Sequence, residues 1–110
     1  MTVAKVYIKE RSWLARQAAR RLGYQQIAMV VGRTIYLHNT SRSSFLQNRR
    51  WLIHELKHVE QWQQHGYLGF LWKYLREYIR NGYYYNKYEV EARNAERDVG
   101  LLKKFEMDEL

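Results

Sequence analysis

Three stretches near the beginning of the chain carry the apolar pattern of β-strands. Residues 3–8 alternate between two faces, and residues 26–31 and 34–38 are rich in strand-forming side chains. Gly32 and Arg33 separate the second and third stretches and suit the tight turn of a hairpin. The pattern therefore predicts three strands, of which the last two form the hairpin.

Elsewhere the apolar residues recur every three or four positions, which is typical of α-helices. Ser12 can cap the first helix, and Gly23 follows it where a C-cap glycine belongs. Ser43 or Ser44 can cap the second helix after a polar loop. We predict four helices, over about residues 12–22, 44–64, 68–80 and 87–104.

This order of elements indicates an α+β fold in a single domain, residues 1–110. We expect a small three-stranded sheet packed against the N-terminal helix and against the helix over residues 44–64, with two further C-terminal helices. Apolar residues make up 46% of the chain and aromatic residues 15%, so we expect a folded chain with a modest core.

Composition and charge narrow the classes of function. The chain has no cysteine, so any metal ligands must be His, Asp or Glu. It shows no leader and no apolar run of about 18 residues, which predicts a cytoplasmic protein without a membrane span. The net charge of +8 fits nucleic acid, an anionic membrane or solubility alone. The basic residues are scattered and no nucleic-acid motif accompanies them, so nucleic acid is not the favoured partner.

The sequence His54-Glu55-Leu56-Lys57-His58 is an H-E-x-x-H motif on the second predicted helix. A spacing of four residues places both imidazoles on one helix face, where they can share a zinc ion. Glu55 lies about 100° further around the helix and can reach a water molecule at the metal instead of the metal itself. The motif therefore predicts a zinc site with Glu55 as general base.

A catalytic zinc site needs a third protein ligand, and several His and Glu residues of the chain are candidates. His65 lies two turns beyond His58, too far along the same helix, and His38 more simply ends a strand. The last helix carries Glu89, Glu91 and Glu96. Periodicity slightly favours Glu91, which is nearest the apolar stripe, and all three can also be solvated charges.

Three other interpretations stay open at this point. The motif can lie on a surface helix with solvated side chains, or it can belong to a structural zinc site in which Glu55 has no role. The chain can also be a basic module that binds nucleic acid or another protein through its arginine-rich helices.

The motif, followed by Val59-Glu60-Gln61 and later by Glu89-Val90-Glu91-Ala92, resembles the gluzincin metallopeptidases. The chain is similar above all to the short minigluzincins and to small bacterial HExxH domains. The resemblance implies a zincin-like fold and a zinc-dependent endopeptidase acting on a peptide or protein. It also implies that His54, His58 and Glu89 hold Zn²⁺ while Glu55 acts as the base.

The resemblance carries further expectations about the cleft. The strand over residues 34–38 would line it and pair with an extended substrate. Many gluzincins have an Asp after the Ala of the second motif, where it orients a ligand histidine, and this chain has Arg93 instead. Candidate donors to the transition state are Tyr83, Tyr84, Tyr85, His65 and Arg93.

The acidic C-terminal residues 105–110 raise the possibility of a latent enzyme. In that hypothesis the tail reaches the zinc ion and blocks the site. The simpler expectation is a frayed terminus.

Overall fold

The computed structural model describes residues 4–109 and contains strands on both ends of the chain. Residue 3 of the first predicted strand and the terminal Leu110 lie outside the described residues. The elements in chain order are β1 (Ala4–Lys9), α1 (Trp13–Leu22), β2 (Ile27–Val31), β3 (Thr34–His38), α2 (Arg42–Gln47), α3 (Arg49–His65), α4 (Tyr67–Asn81), α5 (Lys87–Asn94), a 3₁₀ helix (Val99–Lys103) and β4 (Phe105–Glu109).

The strands form one mixed sheet in the order β2-β3-β1-β4. The predicted hairpin of β2 and β3 is antiparallel, whereas β1 is parallel to both β3 and β4. The α+β class is therefore confirmed, and the expected three-stranded sheet is wrong because β4 adds a fourth strand.

Each face of the sheet is covered by helices. On one face, Val6 and Ile35 pack with Ile53 and Leu56 of α3 in the larger core. On the other face, Ala15 and Ala19 of α1 pack against Ile27 and its neighbours. Because α3 lies directly on the sheet, its position is fixed along most of its length.

The helix predicted over residues 44–64 is two helices. Ser41, not Ser43 or Ser44, caps α2 by accepting from the backbone N–H of Ser44 at 3.0 Å. Asn48 then caps α3 by accepting from the N–H of Trp51 at 3.3 Å. The chain contains no proline or glycine at this break, where Asn48 both ends α2 and caps α3.

The helix predicted over residues 87–104 is also too long. It ends at Asn94, and a turn leads to the 3₁₀ helix, whose Leu101 is buried in the larger core. The chain then returns to the sheet as β4.

Residues 105–109 are neither frayed nor placed in the cleft, and residue 110 of the predicted tail lies outside the described residues. They pair with β1 from Ala4 opposite Phe105 to Ile8 opposite Glu109. This edge of the sheet is opposite to the edge formed by β2. The pairing removes the basis for an inhibitory tail within the described residues.

No helix within residues 4–109 is both long enough and apolar enough to span a membrane.

Candidate metal centre

Two helices bring the motif residues and a carboxylate together. His54, Glu55 and His58 lie in the middle of α3, and Glu89 lies in the first turn of α5. Asn86 fixes the start of α5, because its side chain accepts from the N–H of Tyr88 at 2.9 Å and donates to the carbonyl of Tyr74 in α4 at 3.1 Å. The cap therefore sets where Glu89 lies relative to α3 and α4.

The three predicted ligands converge on one point. One oxygen of Glu89, Oε1, lies 3.1 Å from Nε2 of His54 and 3.0 Å from Nε2 of His58. One ligand atom from each residue lies within 4.8 Å of the other two. The group is close enough to bind a metal ion, and Glu89 and His58 are buried.

The far nitrogen of each imidazole meets an acceptor. His54 Nδ1 lies 2.9 Å from a Glu96 oxygen, and His58 Nδ1 lies 2.8 Å from Oε1 of Gln61. An N–H at Nδ1 leaves the lone pair at Nε2 free for a metal ion. Two nitrogens and one carboxylate oxygen are also the donor set that zinc takes in catalytic sites. The residues present therefore fit a divalent metal ion.

Gln61 is completely buried and connects α3 with α5. Its amide nitrogen donates to the carbonyl of Tyr88 at 3.1 Å and to the carboxylate of Glu91 at 3.0 Å. These bonds orient the amide so that its oxygen faces His58. The same residue thus holds the imidazole and the helix that carries Glu89.

The second oxygen of Glu89 accepts a hydrogen bond of 2.6 Å from the hydroxyl of Tyr74. Burial and the adjacent Glu89 carboxylate raise the pKa of Tyr74, so the tyrosine stays a donor. This bond leaves Oε1 as the oxygen that faces the histidines.

Charge is concentrated in the site. Burial alone would lower the pKa of His54, but Glu89, Glu55 and Glu96 outweigh it and raise that pKa to about 9. Burial would raise the pKa of Glu89, yet His58, His54 and Tyr74 hold it well below its usual range. The carboxylate is therefore ionised, which a metal ligand must be.

Glu55 differs from Glu89 in its surroundings. Its side chain is 4% exposed, and burial raises the pKa of Glu55 to about 7 although both histidines oppose the shift. It lines two cavities, of about 430 and 380 Å³; His58 lines the first, His54 lines the second and Glu89 lines both. Glu55 thus borders both cavities beside the cluster.

The larger cavity is an apolar groove between α1, β2 and α4. Leu22, Met29, Leu71, Leu75 and Tyr78 are among its lining residues, together with Glu55, His58 and Glu89. The smaller cavity is lined by polar and aromatic side chains that include Gln26, Tyr84, Arg93 and Glu96. Tyr83 lines both cavities.

The strand beside the groove is β2, and the expectation for residues 34–38 is wrong. Since β3 pairs with β2 on one side and β1 on the other, it has no free edge for a substrate. The carbonyl of Val30 in β2 accepts from Nε1 of Trp62 at 3.2 Å and therefore points away from β3. Along a strand of an antiparallel pair, the N–H and C=O groups of successive residues point alternately toward and away from the partner strand. Those of Ala28, two residues before Val30, therefore also point to the open edge.

The other candidate residues lie apart from the metal-binding group. Glu91 is exposed and bonds to Gln61, so Glu89 is the carboxylate between the histidines. His65 lies 3.0 Å from Lys73 and stacks on Phe70. His38 ends β3 opposite Ile27.

Neither Arg93 nor Glu96 has the role that was expected for it from the sequence. Arg93 packs over the ring of Tyr84 and donates to its backbone carbonyl. Glu96 takes the place of the missing Asp as the acceptor for His54. Gln61 belongs to the run that carries the family resemblance, but its bonds to His58 and α5 were not predicted, and Tyr74 had no signal in the sequence.

The chain belongs to the eCIS core domain family, whose model matches residues 5–66. This match covers more than half of the chain and runs from β1 to the end of α3. It includes His54, Glu55 and His58 and ends before Glu89. No curated protein and no solved structure matches the chain.

Proposed function

We propose that the chain is a zinc-dependent metallopeptidase of gluzincin type that hydrolyses a peptide or protein. The observation that carries this proposal is the approach of both Nε2 atoms to a single buried oxygen of Glu89, at 3.1 and 3.0 Å. His54, His58 and Glu89 would hold the zinc ion. A cytoplasmic location is part of the proposal and rests on the sequence alone.

Zinc supplies Lewis acidity in such a site and lowers the pKa of water toward about 7. Glu55 would take the proton from the attacking water and return it to the leaving amine. Burial raises the pKa of Glu55 to about 7 in the absence of metal, and a bound cation would favour the ionised form that accepts the proton.

The open edge of β2 supports binding of an extended peptide. Ala28 offers a backbone donor and acceptor at this edge, beside the groove that leads to Glu55. Peptides commonly bind by adding a strand to such an edge. Of the candidate donors to the transition state, Tyr83 is the one that lines both cavities, and it would be the donor in this proposal.

The test is to measure zinc content and peptide cleavage for the wild type and for Glu55→Gln. We expect the variant to keep stoichiometric zinc, because its three ligands are unchanged, and to lose cleavage by at least about 100-fold. Exposed Glu106→Gln is the matched control and should retain full cleavage. Cleavage by Glu55→Gln at the wild-type rate would rule out the mechanism.

A further inference from the structure

The helix α4 presents a broad apolar surface, part of which lies outside the groove. Four of its apolar residues are spaced by four, three and four positions: Leu68, Trp72, Leu75 and Ile79. Leu68, Trp72 and Ile79 are 84%, 68% and 82% exposed, and none of the three lines the groove. We call these three residues the outer face of α4.

Burial within the domain involves the opposite side of the helix. Phe70 is the buried residue of α4 and packs against Trp62 and Tyr88. The groove-lining residues Leu71, Tyr74, Leu75 and Tyr78 lie between that side and the outer face. The outer face therefore contributes neither to the described core nor to the metal centre.

Basic residues border the outer face. Arg76 and Arg80 follow Trp72 at intervals of four, which makes an exposed basic row next to it on the helix surface. On the other side, Arg21 of α1 lines the groove. Glu77 is the acidic residue of α4, and its carboxylate accepts from Asn81 and from the N–H of Lys87.

We propose that α4 binds the surface of an anionic lipid bilayer, with its outer face in the interface. A helix with tryptophan and aliphatic residues on one face and arginine beside them is the pattern of interfacial membrane helices. Phosphate head groups complement the arginines, and Trp72 suits the boundary between head groups and acyl chains.

The charge of the chain argues against a second copy as the occupant. Pairing of two outer faces would bring two basic rows together, in a chain whose net charge is already +8. An anionic partner is favoured instead, and a bilayer accepts a convex helix face without needing a complementary groove.

The test is co-sedimentation of the full chain with vesicles of phosphatidylcholine alone or mixed equally with phosphatidylglycerol. We expect binding to the anionic vesicles and much less to the neutral ones, with binding reduced by high salt. Trp72→Ser combined with Ile79→Ser should weaken binding by at least about ten-fold. Trp13→Ser is the matched control, since Trp13 is 69% exposed on α1, and should bind like the wild type.

Charge is tested separately by Arg76→Gln with Arg80→Gln, which should also weaken binding. Arg49→Gln with Lys103→Gln removes the same charge from exposed positions elsewhere and should have less effect. If the apolar double variant fails to fold, Trp72→Phe tests whether position 72 enters the bilayer interface. This variant should bind anionic vesicles without the blue shift in tryptophan emission that the wild type and Trp13→Phe show.

Any of four results would overturn the proposal. The first three are absence of binding to anionic vesicles, equal loss of binding in the Arg76/Arg80 variant and the Arg49/Lys103 variant, and a blue shift that persists in Trp72→Phe. The fourth is self-association through α4, or binding to polyglutamate in place of vesicles, which would identify a protein partner.

Discussion

The imidazoles of His54 and His58 are each held on the side away from Glu89 by a different residue. Glu96 is partly exposed and is shared with Arg50 at 3.2 Å, whereas Gln61 is fully buried and bonded at both ends of its amide. Acceptors of this kind fix the tautomer and the ring orientation of a metal-binding histidine. The ligand geometry thus depends on residues that do not touch the metal position.

Removal of the Glu96 carboxylate tests this dependence. We expect Glu96→Ala to weaken zinc affinity by about 10- to 100-fold, because the His54 ring loses its orienting acceptor. Titration calorimetry with zinc measures the change, and Glu106→Ala, an exposed carboxylate on β4, is the control. Equal affinities for Glu96→Ala and the wild type would show that Glu96 does not position His54.

At the scale of elements, the β2–β3 hairpin and the start of α4 form one wall beside the cleft. Gly32 in the hairpin turn has φ +64°, and a Cβ there would lie 2.5 Å from the ring of Tyr67. Trp62 adds to the wall by packing on Tyr67 and bonding to Val30. A side chain at position 32 would therefore displace the ring of Tyr67, which is 62% exposed, and the positive φ of Gly32 itself favours glycine.

Gly23 offers a comparison, since its φ is +76° and nothing lies within 4 Å of a Cβ built on it. Alanine at either position has the cost of the left-handed conformation, about 1–2 kcal/mol. We expect Gly32→Ala to lower the free energy of unfolding further than Gly23→Ala does, because of the contact with Tyr67. Denaturant unfolding measures both free energies. In a Tyr67→Ala background, Gly32→Ala and Gly23→Ala should lower the free energy of unfolding by similar amounts. If Gly32→Ala is still the more destabilising there, Tyr67 is not the cause.

The last strand is an element that the sequence pattern did not predict. Residues 105–108 alternate apolar and acidic side chains over a short distance, and the partner strand β1 lies at the other end of the chain. The local periodicity of apolar residues carries no signal for parallel pairing between such distant segments. The break between α2 and α3 was missed for a different reason, because the single polar residue Asn48 marks it.

Phe105 tests whether β4 is part of the fold. Its side chain is buried in the larger core, so Phe105→Ala should lower the free energy of unfolding by about 3 kcal/mol. Zinc affinity should change little, because β4 lies at the edge of the sheet opposite β2. Glu106→Ala is the control, since Glu106 is an exposed residue of the same strand, and it should change the free energy of unfolding little. A gain in peptide cleavage without loss of stability would instead support an inhibitory tail.

At the scale of the whole molecule, the sequence best predicted the features that depend on residues close together in the chain. The i, i+4 spacing of His54 and His58 places both on one face of any helix, whatever surrounds it. Glu89 could be named only through the resemblance, because periodicity over a helix extended to residue 104 favoured Glu91. The true α5 is short, and its position is set by Asn86, Gln61 and Tyr74 through contacts between distant segments.

The metal centre is the central claim about the molecule, and a crystal structure grown with zinc tests it most directly. We predict anomalous scattering from one ion within about 2.0–2.2 Å of Nε2 of both histidines and of a Glu89 oxygen. Glu55 should lie beside the ion without coordinating it. An ion bound by other residues, or no ion at this position at saturating zinc, would contradict the account.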